Sequence, residues 1–204
     1  MDQRTRLKAV LFDLDGTLVR LGVDWAALKK AVAEISNGTT TSFQEAYAAA
    51  DQPTRQRLSD ALEALEIEGA HASEVVDGAN QVVTHLQKKY GVGVVTRNSR
   101  KSAEIALKKH VDSPLLVIGR EDVQELKPHP EGLHTAMTHL GSHPEATILV
   151  GDTAHDVEAG HAAGMPVVVI KNPQLAYPPE GADFYIDDLH GLLALPALTE
   201  DNDG

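Results

Sequence analysis

The sequence predicts an α/β fold: a doubly wound, Rossmann-like parallel sheet with a small helical cap inserted into it. Three observations support this prediction. Short apolar runs of strand character recur along the chain and alternate with amphipathic helical patterns. Acidic or hydroxyl side chains follow several of these runs, at the sheet edge where open α/β folds bind ligands. Between the first and second runs lies a long stretch with helical periodicity and no strand signal.

Composition narrows the possible function classes. The 204 residues are 42% hydrophobic and 24% charged, as in an ordinary globular protein that is large enough to bury a core. A formal net charge of -12 disfavours a general affinity for nucleic acid or anionic membranes. The absence of cysteine excludes disulfides, thiolate metal sites and cysteine nucleophiles. No apolar stretch approaches the roughly 18 residues of a membrane span, so we expect a cytoplasmic protein.

The first strand is predicted at Ala9–Phe12, an apolar run typical of a strand buried on both faces of a parallel sheet. Asp13 and Asp15 follow it, and Gly16-Thr17 lets the chain turn away. An Asp-Gly pair is also a common turn former, so the carboxylates could serve only the turn. Because a hydroxyl, a lysine and a second acidic pair follow later strands, we favour a phosphoryl-transfer site. There one aspartate attacks, the other moves a proton, and a divalent metal holds both to the phosphate.

The stretch after the first motif shows helical spacing. Apolar residues recur at this spacing in 28–35 and 58–65, and Ser42 has capping-box spacing with Glu45 at the start of a further helix. We predict that these helices form a lid over the main domain. The predicted domains are a core of residues 1–18 and 71–204 and a cap of residues 19–70. The alternative is that the helices merely pack on the sheet.

A long amphipathic helix is predicted from Val75 to Tyr90, followed by the second strand at Gly91–Thr96. The strand's two glycines precede its apolar run, whereas a dinucleotide fingerprint has glycines after a strand and at the start of a helix. We therefore expect no nicotinamide or flavin site. Taken alone, Thr96 is a strand-terminal residue and Ser99 a helix N-cap. Taken with the first aspartate, the Thr96 hydroxyl and the amide of Arg97 are donors suited to phosphate oxygens.

The third strand is predicted at Leu115–Ile118. Lys127 follows it, directly before Pro128, and Pro128 and Pro130 fix the backbone ahead of a helix. A lysine in such a setting is more often simply exposed. The catalytic interpretation requires its ammonium to act as a compact positive charge on the phosphate and on the nucleophilic carboxylate.

The fourth strand, Thr147–Val150, is again followed by acidic residues, Asp152 and Asp156. Asp156 could be no more than a first-turn acid that the helix dipole favours. Asp152 is harder to explain without a function, because the glycine before it permits close approach of another group. A fifth strand is predicted at Val167–Ile170, and a short sixth strand at Phe184–Ile186 is possible.

These separated motifs resemble those of the haloacid dehalogenase (HAD) superfamily of hydrolases, in the phosphatase branch near the phosphoglycolate phosphatase-like members. The matching residues are Asp13-Leu14-Asp15-Gly16-Thr17, then Thr96, then Lys127, and last Gly151-Asp152 with Asp156. The resemblance implies a HAD-like core with the first strand central and a helical cap between the first two motifs. It also implies Mg²⁺ bound by Asp13, the backbone carbonyl of Asp15 and Asp152.

The resemblance further implies a mechanism. Asp13 would attack phosphorus and form an aspartyl-phosphate, while Asp15 would protonate the leaving alcohol and then deprotonate water. Thr96 and the Arg97 amide would hold the phosphoryl oxygens while Lys127 compensates charge. Asp156 would orient Lys127 or a metal-bound water.

The sequence thus predicts a Mg²⁺-dependent phosphatase acting on a small phosphate ester. Within the superfamily that the chain resembles, Asp15 disfavours two other classes of enzyme. A dehalogenase needs no acid two residues after its nucleophile, and the transport ATPases carry a threonine at that position. A phosphosugar mutase is the alternative, and a receiver-like phospho-acceptor domain is a second. The sequence identifies neither the substrate nor the oligomeric state. Arg20 and Trp25, just past the first motif, are candidates to face the leaving group, although either could be ordinary cap surface or core.

Overall fold

The computed structural model describes residues 6–199. Residues 1–5 and 200–204, which the predicted core domain includes, lie outside the described residues. In chain order the elements are β1 (Ala9–Phe12), β2 (Val19–Arg20), α1 (Trp25–Ile35), α2 (Phe43–Ala49), α3 (Gln52–Ala72), β3 (Glu74–Val75), α4 (Ala79–Leu86), β4 (Gly91–Val95), α5 (Arg100–His110), β5 (Leu116–Ile118), α6 (Glu131–Leu140), β6 (Thr147–Gly151), α7 (Ala154–Ala162), β7 (Val167–Ile170), β8 (Phe184–Ile186) and α8 (Pro196–Thr199).

Within the described residues, the main sheet has six parallel strands in the order β5-β4-β1-β6-β7-β8. Strand β1 lies at its centre, where Phe12 pairs with Val94 of β4 on one side and Val150 of β6 on the other. The chain fills the sheet outward from β1 in one direction and then in the other, which is the doubly wound arrangement. The predicted fold class is therefore confirmed, and β8 supplies the sixth strand.

Helices cover both faces of this sheet. Val10 and Phe12 point to the layer that contains α4 and α5, whereas Leu11 points to the layer that contains α6 and α7. Successive strand residues face opposite layers, so a strand covered on both sides must be apolar at every position. All four residues of β1 are fully buried, as this argument requires. No helix within residues 6–199 combines the length and the apolar character that a membrane crossing needs.

The inserted helices α1, α2 and α3 share a small apolar cluster of their own. Ser42 caps α2 by accepting a hydrogen bond from the Glu45 N–H, as the sequence spacing predicts. The later part of α3 runs alongside α5, and the short antiparallel pair of β2 and β3 joins the two chain crossings into and out of this region. The helix α3 continues past residue 70 to Ala72, and the division into core and cap stays a prediction. The apolar cluster shared by α1, α2 and α3 consists of Leu28, Val32, Ala46, Leu58 and Leu62.

The prediction of one long helix from Val75 to Tyr90 is wrong. The chain instead forms β3, turns at Gly78, and only then begins α4, which ends at Leu86. Gly78 has a φ of +80°, and a Cβ at this position would lie 2.5 Å from the His190 ring. That φ lies outside the right-handed helical region, so α4 begins only after Gly78, where a glycine adopts the left-handed conformation without strain. The two glycines of the predicted second strand lie inside β4, so they are not in the position of a dinucleotide fingerprint.

Candidate active site

A cavity of about 470 Å³ opens at the carboxyl edge of the sheet, between the inserted helices and the strand ends. The loops after β1, β4 and β5 converge there, because parallel strands end at the same edge. The structure brings most of the predicted site residues to its wall, whereas Asp152 lies just below, buried against the loop after β1. The predicted site residues on the wall are Asp13, Asp15, Thr96, Arg97 and Lys127.

Asp13 follows β1 directly and is 8% exposed. Its backbone N–H donates to the Val150 carbonyl at 2.8 Å, which continues the β1–β6 ladder and fixes the residue at the sheet edge. Burial, together with the charges of Asp156 and Asp152, raises the pKa of Asp13 to about 7. The Lys127 ammonium opposes this rise. Asp13 is therefore a carboxyl whose ionisation depends on nearby positive charge.

Lys127 lies between two carboxylates and is 5% exposed, so the interpretation of an exposed lysine is wrong. Its Nζ donates to Asp13 Oδ1 at 2.5 Å and to Asp156 Oδ1 at 2.6 Å. Burial alone would lower the pKa of Lys127, but the two carboxylates outweigh burial and the pKa is raised. The ammonium therefore stays charged and ties the end of β1 to the start of α7.

Asp156 is fully buried in the first turn of α7. Its Oδ2 accepts hydrogen bonds from the Thr153 N–H at 3.0 Å and the Thr153 hydroxyl at 2.6 Å, while Oδ1 accepts from Lys127. Burial would raise the pKa of Asp156, but the Lys127 charge and these hydrogen bonds lower it overall. A Cβ on Gly151 would lie 2.5 Å from Asp156 Cβ, so the glycine makes room for this acid. Asp156 thus orients the lysine as well as starting the helix.

Asp152 follows β6 and is held from two sides. Thr17 Oγ1 donates to its Oδ1 at 3.2 Å, and Asn172 Nδ2 donates to its Oδ2 at 2.6 Å. Gly16, with a φ of +90°, lets the loop after β1 pass close by, because a Cβ there would lie 2.7 Å from Asp152 Cγ. Burial raises the pKa of Asp152 to about 6, although the two hydrogen bonds oppose the rise.

Asp15 is half-buried in the turn after β1. Its Oδ1 accepts a hydrogen bond from the Leu21 N–H at 2.8 Å, which sets the direction of the side chain. Burial raises the pKa of Asp15, and the Leu21 hydrogen bond partly offsets that rise. A carboxyl with a raised pKa that lines the cavity is chemically able to give and take a proton.

Three buried carboxylates could hold a metal ion. One oxygen from each of Asp13, Asp152 and Asp156 lies within 4.8 Å of the others. Anions at such distances repel one another strongly in a buried site, and Lys127 supplies only one positive charge. Carboxylate oxygens are the ligands that hard divalent cations prefer, so this donor set fits such a cation. Asp156 already uses both of its oxygens, one toward Lys127 and the other toward Thr153.

The loop after β4 presents hydrogen-bond donors to the cavity. Thr96 is buried, and its Oγ1 accepts from the Asn98 N–H at 3.2 Å, which leaves its hydroxyl proton free to donate elsewhere. The backbone N–H of Arg97 has no hydrogen-bond acceptor among residues 6–199. The Arg97 guanidinium donates to His155 Nδ1 at 3.2 Å, and both side chains line the cavity. These groups form the electropositive side of the site.

Some residues of the site carried no clear signal in the sequence. Asn172 could have been suspected, because it follows β7 as the predicted site residues follow other strands. The buried Glu66 and the partly buried Arg120 line the cavity as an ion pair, but a glutamate inside a helix looks like ordinary surface in the sequence. Trp25 also lines the cavity, whereas Arg20 is absent from the described residues around it.

Comparison with known proteins identifies the family. The sequence model of the haloacid dehalogenase-like hydrolases matches residues 10–170, a span that contains all the site residues predicted from the sequence. The chain belongs to this family. The resemblance inferred from the separated motifs is thereby confirmed, and the HAD core is the six-stranded parallel sheet.

Individual proteins also align over nearly the whole chain. Pyrophosphatase PpaX of Bacillus cereus is 29% identical, with 97% of this chain and 99% of that protein covered. Among solved structures, a hydrolase from Pseudomonas syringae superposes with a TM-score of 0.74 at 21% identity, covering 92% of this chain and 96% of the other. A predicted phosphoglycolate phosphatase from Haemophilus somnus gives a TM-score of 0.69 at 20% identity, with 93% and 98% covered. The structural likenesses support the fold.

Proposed function

We propose that this HAD hydrolase is a Mg²⁺-dependent phosphatase that cleaves a small phosphate ester through an aspartyl-phosphate on Asp13. The observation that carries the proposal is the arrangement around Asp13. Its carboxylate lies at a cavity wall, paired with the buried Lys127 and within reach of two further buried carboxylates. The names of the relatives, a pyrophosphatase and a phosphoglycolate phosphatase, agree with phosphate chemistry.

Asp13 is suited to the role of nucleophile. Lys127 donates to its Oδ1, so Oδ2 is the oxygen available to attack phosphorus. Attack requires the ionised carboxylate, and Lys127 favours that form against the effect of burial. Bound Mg²⁺, held by Asp13, Asp152 and the backbone carbonyl of Asp15, would supply positive charge that lets the carboxylate approach an anionic phosphate.

The other groups handle protons and hold the phosphoryl oxygens. Asp15, with its raised pKa, protonates the departing oxygen and then takes a proton from the water that hydrolyses the intermediate. The Thr96 hydroxyl and the Arg97 N–H donate to the oxygens of the transferred group, where charge develops during the reaction. Asp156 keeps the Lys127 ammonium aimed at Asp13. Most of the catalytic effect then comes from positioning and charge.

We propose that residues 19–70 act as a cap that excludes water from the cavity and selects the substrate. Four apolar or aromatic side chains of this segment line the cavity, opposite the charged strand ends. A closed apolar wall strengthens the electrostatic interactions inside. We further propose that the substrate is a small molecule and that the protein works in the cytoplasm. The four apolar or aromatic side chains of the proposed cap that line the cavity are those of Trp25, Leu28, Phe43 and Leu62.

The test is phosphate release from a panel of small phosphate esters, including pyrophosphate and phosphoglycolate, with Mg²⁺ and with a chelator. We expect Mg²⁺-dependent release by the wild type and none by Asp13→Asn, which should fold normally by circular dichroism. Formation of an isomerised sugar phosphate without free phosphate would favour the mutase alternative. Substantial activity in Asp13→Asn would refute the assignment of the nucleophile.

A further inference from the structure

A buried carboxylate links the inserted helix α3 to the loop that follows β4. Glu66 is 2% exposed, although it lies in a helix that begins on the surface. Its Oε1 and Oε2 accept hydrogen bonds from the Arg120 guanidinium at 2.8 and 3.0 Å, and Oε2 also accepts from the Ser99 N–H at 2.9 Å. Such a two-point pair is geometrically specific, and a charge this buried needs its partner. The mechanism above gives this pair no role.

Hydrogen bonds hold two consecutive peptide groups of the loop, and the Glu66 and Arg120 side chains make two of the four. In the first, the Arg97 carbonyl accepts from the Arg120 side chain at 3.2 Å, and the Asn98 N–H donates to Thr96 Oγ1. In the second, the Asn98 carbonyl accepts from the Arg120 N–H at 2.9 Å, and the Ser99 N–H donates to the Glu66 carboxylate. All four polar groups of these peptides are therefore held. The neighbouring N–H of Arg97 alone is left without an acceptor within residues 6–199.

We propose that Glu66 and Arg120 are positioning residues that hold this loop so that the Arg97 N–H meets the oxygens of the transferred phosphoryl group. The proposal rests on the phosphatase function proposed above. A donor stabilises developing charge most when its direction is fixed before the reaction begins. Because Glu66 belongs to α3, the inserted segment contributes to catalysis through the loop as well as by covering the cavity.

A lysine cannot replace the Arg120 guanidinium in these contacts. The Arg120 guanidinium serves both Glu66 oxygens and the Arg97 carbonyl at once, because its donors form a planar fork. A lysine at this position would keep the charge but could not make the same set of contacts. Arg120→Lys therefore separates loss of charge from loss of geometry.

The test uses the full-length enzyme with p-nitrophenyl phosphate as substrate and orthovanadate as an inhibitor that imitates the transition-state geometry. For Glu66→Gln and Arg120→Lys we expect kcat to fall by roughly 10- to 100-fold, less than deletion of an oxyanion donor would cause. The KM should change by no more than about twofold, since the interaction acts mainly in the transition state. Vanadate inhibition should weaken in step with kcat.

Glu63→Gln is the control. Glu63 also lies on α3 and pairs across to the core with Lys101, at 4.0 Å, but both side chains are more exposed than Glu66, and within residues 6–199 neither makes a hydrogen bond to the loop. We expect its kcat and vanadate affinity to match the wild type, because exposed pairs contribute little. Thermal unfolding of each variant reports the folded fraction.

The outcomes separate this proposal from the one it rests on. If the wild type releases no phosphate from any ester, the proposed function fails and this inference fails with it. If the wild type is active and the two variants lose only thermal stability, with unchanged kcat per folded molecule, the pair is structural and the inference alone is overturned. If Glu66→Gln does not fold, Arg120→Lys, which keeps a cation beside Glu66, decides by the same kcat and vanadate measurements.

Discussion

A methyl group added at Gly151 tests how the fold positions the proposed nucleophile. The added Cβ of Gly151→Ala would lie 2.5 Å from Asp156 Cβ and 2.7 Å from Asp156 Oδ2. Ordinary carbon contacts are about 3.5 Å, so Asp156 must move by about 1 Å. Asp156 holds the Lys127 ammonium at 2.6 Å, and Lys127 holds Asp13 at 2.5 Å. The displacement therefore passes along a chain of two hydrogen bonds to Asp13, the proposed nucleophile.

Two magnitudes follow from this displacement. Overpacking of a well-packed site costs about 1–3 kcal/mol of unfolding free energy. For a chain of this size each kcal/mol lowers Tm by about 2–4 °C. A misplacement of about 1 Å in a catalytic group costs about 100-fold in rate. We expect Gly151→Ala to lose about 100-fold in kcat while it remains folded at 25 °C.

Gly160→Ala is the matched comparison. Its added Cβ would overlap Val167 Cγ2 and lie 3.2 Å from Leu149 Cδ2, so it overpacks the interface of α7 with the sheet and meets no acid. Both variants should show lower Tm by differential scanning fluorimetry. Only Gly151→Ala should release phosphate more slowly than the wild type when the rate is expressed per folded molecule. Equal kcat in the two variants, with similar losses of Tm, would refute the proposed transmission through Asp156.

Three further predictions concern single groups of the site. Asp15→Asn should slow both formation and hydrolysis of the aspartyl-phosphate, measured by rapid quench; wild-type rates would remove Asp15 as the acid and base. Lys127→Met should lower the unfolding free energy in urea by about 3–5 kcal/mol, because two buried carboxylates lose their ammonium; an unchanged value would contradict the pairing. Mg²⁺ should raise the Tm of the wild type but not of Asp152→Asn, and equal shifts would argue against the metal site.

The sheet could be predicted because each strand carries its own signal. A strand such as β1 is buried on both faces, so its residues must be apolar whatever surrounds them. The prediction of one long helix before β4 was wrong because apolar spacing does not show where a helix begins. Its apolar spacing was real, since Val82 and Val83 are buried, but Val75 is exposed and the left-handed Gly78 interrupts the run. Helical periodicity therefore located the buried residues of α4 correctly and its start wrongly.

The side chains of the site could be only partly anticipated. Strand ends bring their residues to one edge, which is why the positions of acids, hydroxyl and lysine along the chain were informative. The burial of Lys127 depends on two carboxylates that lie 114 and 29 residues away in sequence. The Glu66–Arg120 pair spans 54 residues. Neither contact follows from local pattern, because each requires the packed helices and sheet to exist first.

The charges of the site are a reason to expect a bound cation there. Asp13, Asp152 and Asp156 carry three negative charges when ionised, against one positive charge on Lys127. Burial, and to a smaller extent the negative charge of Asp156, raises the pKa of Asp13 to about 7 and that of Asp152 to about 6. A bound divalent cation would offset the excess negative charge and, in the mechanism proposed above, keep Asp13 ionised. The overall charge of -12 does not prevent an anionic substrate from reaching it, because exposed charges are screened beyond about 8–10 Å and Arg97 lines the cavity.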